Sequence, residues 1–232
     1  ASETALVPLR SAALLGMFQE AIEGSLAERG AAQGLELLGP AEDFWRQVSL
    51  VELRRMAEGG NASAQAELAW RAAIGEGMAK SYAQAVQWAA RSAEQGCAGG
   101  EAVLGWLLYN GYGLPKDHGE AARLFARATE AGEARGMVWL ALCLLRGHGL
   151  EAAPDRALEL LFQASGLGSR LADYWLGRLH YLGQHLPQDF SRAAEFLARA
   201  AVQGLPRAMD LRARCLFFGR GVARDRPAAV AL

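Results

Sequence analysis

The 232-residue sequence predicts an all-α fold, a solenoid of 36-residue helix-turn-helix repeats, and three series of glycines predict it. Gly75, Gly111, Gly147, Gly183 and Gly219 recur at that spacing, and Gly60, Gly96, Gly132, Gly168 and Gly204 recur in step with them. A third series runs Gly77, Gly113, Gly149 and Gly221, with His185 in the missing place. Self-similarity at a period of this size is the signature of supersecondary units stacked in a row.

The apolar positions repeat in phase with the glycines. Leu68, Leu104, Leu140 and Leu176 each precede a small residue, Ala69, Gly105, Ala141 or Gly177. Ala85, Ala121, Ala157, Ala193 and Ala229 are followed three residues later by Trp88, Leu124, Leu160, Phe196 and Leu232. Ala64, Leu68 and Ala72 share one helical face, and Ala85, Trp88 and Ser92 share another, so each unit is a pair of amphipathic helices, A then B. Neither helix can bury its stripe alone, and successive units must stack.

In chain order, residues 11–29 carry Leu14, Phe18, Ile22 and Leu26 at helical spacing, which predicts a capping helix. Residues 28–63 are a worn copy of the unit, keeping Gly39, Ala57 and Gly60. The expected organisation is therefore a 1–63 N-terminal cap with a degenerate repeat, then repeats over 64–232 in one continuous solenoid. Full units run 64–99, 100–135, 136–171 and 172–207, and a fifth stops at Leu232 after about two turns of helix B. The Gly-x-Gly between A and B supplies the positive φ that ends a helix. Pro115, Pro154 and Pro187 follow it where a proline starts a helix, and Asp117, Asp155 and Asp189 are placed as caps or first-turn acids. The small residue after each Leu lets helix A approach helix B.

Composition limits the function. Lys plus Arg (24) balances Asp plus Glu (25), and no run of five basic residues occurs, which argues against nucleic acid or an anionic membrane as partner. No apolar stretch reaches the ~18 residues of a membrane span. The chain opens Ala1-Ser2-Glu3-Thr4, without a basic region or initiator Met, so an intact signal peptide is not expected and something upstream is read as removed. Cys143 and Cys215 occupy equivalent sites two units apart, beyond the ~6 Å Cα separation of a disulfide. With Cys97 near the opposite end of its helix, three free thiols are expected. They lean towards a cytoplasmic location, with export to the periplasm open if a signal peptide was cleaved.

The unit resembles the Sel-one-like repeat family, relatives of the tetratricopeptide repeats. The resemblance rests on Leu104-Gly105, Gly111-Tyr112-Gly113-Leu114, Asp117, Glu120-Ala121, Leu124, Arg127-Ala128 and Gly132 in the second unit. The fourth unit carries Leu176-Gly177, Gly183, Leu186, Asp189, Arg192-Ala193, Phe196, Arg199-Ala200-Ala201 and Gly204, and the first keeps the family Trp as Trp88. The family Tyr is replaced by Ala72, Leu108, Leu144, His180 and Leu216, and Arg212 stands where the fifth unit should have Leu. The resemblance implies a right-handed superhelix, a bacterial source, and a non-enzymatic adaptor that binds protein. It supplies no catalytic residue, and the family's cysteine-rich branch is not matched.

The residues themselves offer no chemistry either. His180 and His185 lie five apart, and His118 and His148 fall in the turns of other units, without HExxH, CxxC or paired Cys/His spacing. His180, at the family Tyr site, reads as a core or half-exposed hydrogen-bonding histidine. No metal, cofactor or small-molecule substrate is expected.

A binding surface follows from the register. If Leu68 and Ala72 face helix B, then Ala66, Trp70 and Ala73 project into a concave groove lined by A helices. Carried along the period, Trp70 gives Trp106, Leu142, Arg178 and Arg214. Ala73 gives Tyr109, Leu145, Tyr181 and Phe217, and Ala66 gives Ala102, Val138, Tyr174 and Asp210. The expected partner-binding face is therefore Trp70, Trp106, Tyr109, Tyr174, Arg178, Tyr181, Arg214 and Phe217. Aromatic and arginine side chains dominate interface hot spots. Packing between neighbouring units is the competing use of these rings, and the expected one for Trp139 and Trp175. The function expected is an adaptor or scaffold holding a protein partner. The alternatives are a regulatory or structural module of a larger protein and an immunity-type protein neutralising a secreted bacterial toxin.

Overall fold

A computed structural model describes residues 44–45 and 47–232. Phe44 and Trp45, their rings edge to face at 4.9 Å, belong to a unit of their own. The expected capping helix over 11–29, and residues 28–43 and 46 of the worn copy over 28–63, lie outside the described residues.

Val48–Leu232 is helical throughout, with no strand among the described residues. The helices are α1 (Leu50–Glu58), α2 (Ala62–Ile74), α3 (Tyr82–Glu94), α4 (Ala98–Asn110), α5 (His118–Glu130) and α6 (Ala134–Arg146). They continue with α7 (Pro154–Gly166), α8 (Arg170–Leu182), α9 (Phe190–Val202), α10 (Pro206–Phe218) and α11 (Arg226–Val230). The A helices are α2, α4, α6, α8 and α10, each followed by its B helix, while α1 holds the B-helix register before the first full unit. Every helix from α2 to α10 has 13 residues, so the 36-residue period is built from equal parts.

The glycines end the A helices as the period requires. Gly75, Gly111, Gly147, Gly183 and Gly219 are left-handed C-caps with φ between 66° and 81°, a conformation that costs a side-chain-bearing residue about 1–2 kcal/mol. His185 adopts it too, at φ 58°, the one non-glycine to do so among the described residues. Ser81, Asp117, Asp189 and Asp225 cap the B helices by accepting from the backbone N–H three residues on. The prolines divide differently from expectation. Pro154 does begin α7, but Pro115 and Pro187 lie in the turns, three residues ahead of α5 and α9. There Asp117 and Asp189 already cap the helix. In α7 the cap position is Ala153, without a side-chain bond, and the proline ring sets the first turn instead.

Packing within a unit depends on the small residue after each A-helix Leu. A Cβ at Gly105 would lie 2.8 Å from the Phe125 ring, and one at Gly177 would lie 2.8 Å from Leu197. Phe125 and Leu197 are fully buried at equivalent B-helix positions, so a larger B residue fills the space a glycine leaves. Between units, a Cβ at Gly136 would lie 2.6 Å from that of Ala128, and Ser92 closes in the same way on Gly100. Burying a Leu such as Leu68, Leu107, Leu160 or Leu176 contributes about 1.5–3 kcal/mol.

Consecutive A helices touch one another, and successive B helices approach far less closely. The A layer therefore has the tighter radius and forms the inner face of the curve.

Candidate binding groove

The inner face is not lined as the helical wheel alone predicts. Ala66, Ala102 and Val138 are 5%, 1% and 0% exposed, and Ala73 and Leu142 are equally buried. Ala66 sits against Gly99 of the next A helix, whose Cβ would lie 3.3 Å away. These positions form the seam between units rather than the groove wall. The reason is that adjacent A helices converge on the inside of the curve and close over any small residue there.

The larger side chains at the same positions reach past the seam. Trp70 and Trp106 are half-buried and meet edge to face at 5.2 Å, and Trp106 also contacts Trp139 (6.3 Å) and Tyr112 (5.2 Å). The Arg135 guanidinium lies over Trp70 at 5.0 Å and bonds Glu67 at 3.1 Å, while Arg71 bonds the other oxygen of Glu67 at 3.0 Å. Glu67 is 6% exposed, so this end of the groove rests on a buried ionic cluster. Trp139 packs against Phe125 and Tyr109, at 6.2 and 5.8 Å, and its indole nitrogen has no hydrogen-bond partner among the described residues. Trp175 lies between the guanidinium groups of Arg146 and Arg178, at 5.8 and 5.0 Å.

Tyr109 is buried and ties two units together. Arg146 donates to its hydroxyl oxygen at 2.9 Å, and the hydroxyl shares a hydrogen bond with Nδ1 of His148 at 2.8 Å. The same register recurs at Tyr181, whose oxygen accepts from Arg220, which like His148 lies in the turn of the next unit. Phe217 holds this position in the last unit and is 39% exposed.

Tyr174, Arg178, Tyr181 and Arg214 come together. They line a cavity of about 500 Å³ between α8 and α10, with Leu182, Pro206, Arg207, Asp210 and Leu211 completing it. A shallower hollow of about 190 Å³ beside it is lined by Arg214, Phe217, Phe218 and residues of α11. Arg178 and Arg207 have no carboxylate partner among the described residues, and Arg214 bonds Asp210 at 3.1 Å on the surface.

Two features were not foreseen from the chain. His118 and His148, in different units, stack at 4.6 Å. Burial, with the charge of His148 behind it, holds the His118 pKa below the usual histidine range. Glu101 pairs with Arg127, and Asp173 with Arg199 at 2.5 Å, which links helix A to helix B at equivalent positions two units apart. Acids recurring at twice the period, opposite the recurrent Arg, were the available signal. His180 is buried, but neither ring nitrogen has a hydrogen-bond partner among the described residues. It lies flat on Phe196 at 5.9 Å, filling the family Tyr site by area rather than by polarity.

Cys97, Cys143 and Cys215 are free thiols, and burial pushes Cys143 up to about 12. No group of His, Cys and carboxylates among the described residues has metal-site geometry, and no helix there is long and apolar enough to cross a membrane.

The Sel1 repeat pattern matches residues 62–97, 100–133, 134–169, 170–205 and 206–232, one match for each helical pair. The chain belongs to the Sel1 repeat family. Its fold is similar to that of a Sel1 repeat protein from Oxalobacter formigenes, with 27% identity and a TM-score of 0.63, covering 77% of this chain and 72% of the other. It is also similar to a sel1 repeat protein from Klebsiella pneumoniae, with 24% identity and a TM-score of 0.58, covering 77% and 87%. A third is a protective antigen of uropathogenic Escherichia coli with the same fold, 24% identical at a TM-score of 0.51. That match covers 79% of this chain and 47% of the antigen, so the Sel1 chain spans about half the antigen's length. No curated protein sequence matches the chain. Sel1 repeats commonly mediate protein–protein interactions, and the family is in general a non-catalytic scaffold.

Proposed function

We propose that this Sel1 array is a non-enzymatic adaptor that holds a segment of a protein partner against its A-helix face. The docking point is the cavity between α8 and α10. The observation that carries this reading is the convergence of Tyr174, Arg178, Tyr181 and Arg214 on one open hollow of about 500 Å³. The tyrosines bury large area at low entropic cost and the arginines offer several donors, which is why both types are enriched among interface hot spots. Trp70 and Trp106 extend the same face towards the N-terminal units. Tyr109, buried and bonded across a seam, acts by positioning rather than by contact. Phe217 and Arg214 form the rim at the far end.

The test begins with affinity capture by the full chain and identification of the partner. Its binding is then measured for Trp106→Ala, Arg178→Ala and Arg91→Ala, the last on the B-helix side over Trp88. The two A-face changes are expected to weaken binding about tenfold or more each, and Arg91→Ala to leave it unchanged. Equal binding by all three would sink the assignment to this face.

A further inference from the structure

The charge of the array is not evenly spread. Residues 62–169 carry nine Lys and Arg against eleven Asp and Glu, whereas 170–232 carry ten Arg and five Asp and Glu. A near-neutral chain therefore ends in a strongly cationic pair of units. The acids of that region mostly face away from the groove. Asp173 is buried against Arg199, Asp189 and Asp225 are spent capping B helices, and Glu195 lies on the B helix α9. Asp210 is the one carboxylate lining the cavity.

We infer that the partner segment seated between α8 and α10 is acidic, with carboxylates meeting Arg178, Arg207 and Arg214. This rests on the reading of the A-helix face as the docking surface. Arg178 is already positioned for the task. Its guanidinium lies over the Trp175 ring at 5.0 Å, a contact that uses the cation's face and no N–H donor. Arg207 is exposed and has no acid of its own among the described residues. Arg214 shares only a surface contact with Asp210, which an incoming carboxylate can replace at little cost.

Tyr174 and Tyr181 wall the cavity with apolar faces, so the arginines lie beside a partly dry surface where charge pairing is stronger than in open water. The equivalent register holds Trp70, Trp106 and Leu142 in the first three units, so acid selectivity belongs to the C-terminal units. Arg178 and Arg214 are one unit apart on neighbouring A helices, a spacing of roughly 10 Å. That suits carboxylates three residues apart in an extended, polyproline-like segment, at about 3.1 Å per residue.

The test is selection of a random 12-residue peptide display library on the full chain, followed by fluorescence anisotropy with the enriched peptides. Acid-rich sequences are expected, with affinity falling about tenfold for each of Arg178→Glu and Arg207→Glu and declining steeply as salt is raised. Arg207 is exposed and unpartnered, so its variant reads charge without disturbing the fold. Neutral or basic winners that are still lost in Tyr174→Ala would overturn the acidic assignment and leave the groove standing. Winners indifferent to every A-face change, or no enrichment at all, would overturn both. Single-stranded RNA displacing the acidic peptides at lower concentration would overturn the choice of a protein segment.

Discussion

The two ends of the A-helix face share one backbone register and differ in what fills it. Around α2, α4 and α6 the face is closed. Trp70, Trp106, Trp139 and Tyr109 run ring to ring across the seams, and Glu67 is buried between Arg71 and Arg135. Around α8 and α10 the same positions hold Arg178 and Arg214, and an open cavity of about 500 Å³ takes the place of packed rings. The difference teaches that one repeat register can carry opposite surfaces along its length. One end packs its rings across the seams, and the other leaves polar side chains around an open hollow.

The seams do not follow that division, since a Cβ at Gly221 in the last unit would overlap the carbonyl oxygen of Phe190 as closely as any in the array. A Cβ at Gly149 would lie 2.1 Å from the carbonyl oxygen of His118, so the turn of the third unit rests directly on the start of α5. In the fourth unit His185 takes that place, and the third and fourth units make the sparsest contact of the array. A side chain at this position keeps the turn from closing on the helix behind it.

The largest expected effect tests that seam. Gly149→Ala meets a backbone oxygen and a positive φ together, and should cost more than about 4 kcal/mol in urea denaturation. Gly132→Ala has nothing within 4 Å of its Cβ and should cost only about 1–2 kcal/mol, from φ alone. Equal losses would show that contact at the seam is unimportant. Next, Glu67→Gln removes the carboxylate that both Arg71 and Arg135 meet in the interior, and about 3 kcal/mol or more should be lost. Asp210→Asn breaks a surface pair at the open end and should change stability by less than about 1 kcal/mol.

A smaller effect concerns acid. His118 has a folded-state pKa below its unfolded value, so its neutral form is favoured in the stacked pair with His148. Its contribution is fully present above the ordinary histidine pKa and is lost as pH falls through the lowered one. His118→Gln should flatten that acid limb in thermal melts taken between about pH 7 and pH 5, and an unchanged slope would remove His118 as its source. The smallest change is one of reactivity. With its thiol pushed to about 12, Cys143 should resist alkylation of the native protein at neutral pH, while half-buried Cys97 reacts. Rapid modification of Cys143 in a mass-spectrometric time course would contradict its burial.

Much of this architecture is legible in the chain because it depends on local geometry. The glycine that ends each A helix needs a left-handed φ, which so few residues accept that its period marks every unit. The aspartates capping α5 and α9 are legible for the same reason, since a short side-chain oxygen satisfies the first free N–H groups of a helix. That Tyr174, Arg178, Tyr181 and Arg214 share one side of the array could be found by carrying one helical face along the period.

Other features depended on how closely the units approach, which no local pattern encodes. Gly132 and Gly149 both recur in step, yet one faces open space and the other a carbonyl oxygen. Ala66, Ala73 and Leu142 share a face with Trp70 but vanish into the seam, because adjacent A helices close over side chains too short to reach past it. His118 and His148 meet because the turn of one unit rests on the helix start of the unit before it. The sequence by itself determined the period, the helix ends and the family. Tertiary structure decided which side chains are left exposed and which close into the seams, because exposure depends on distances between units and those are set only when the side chains pack.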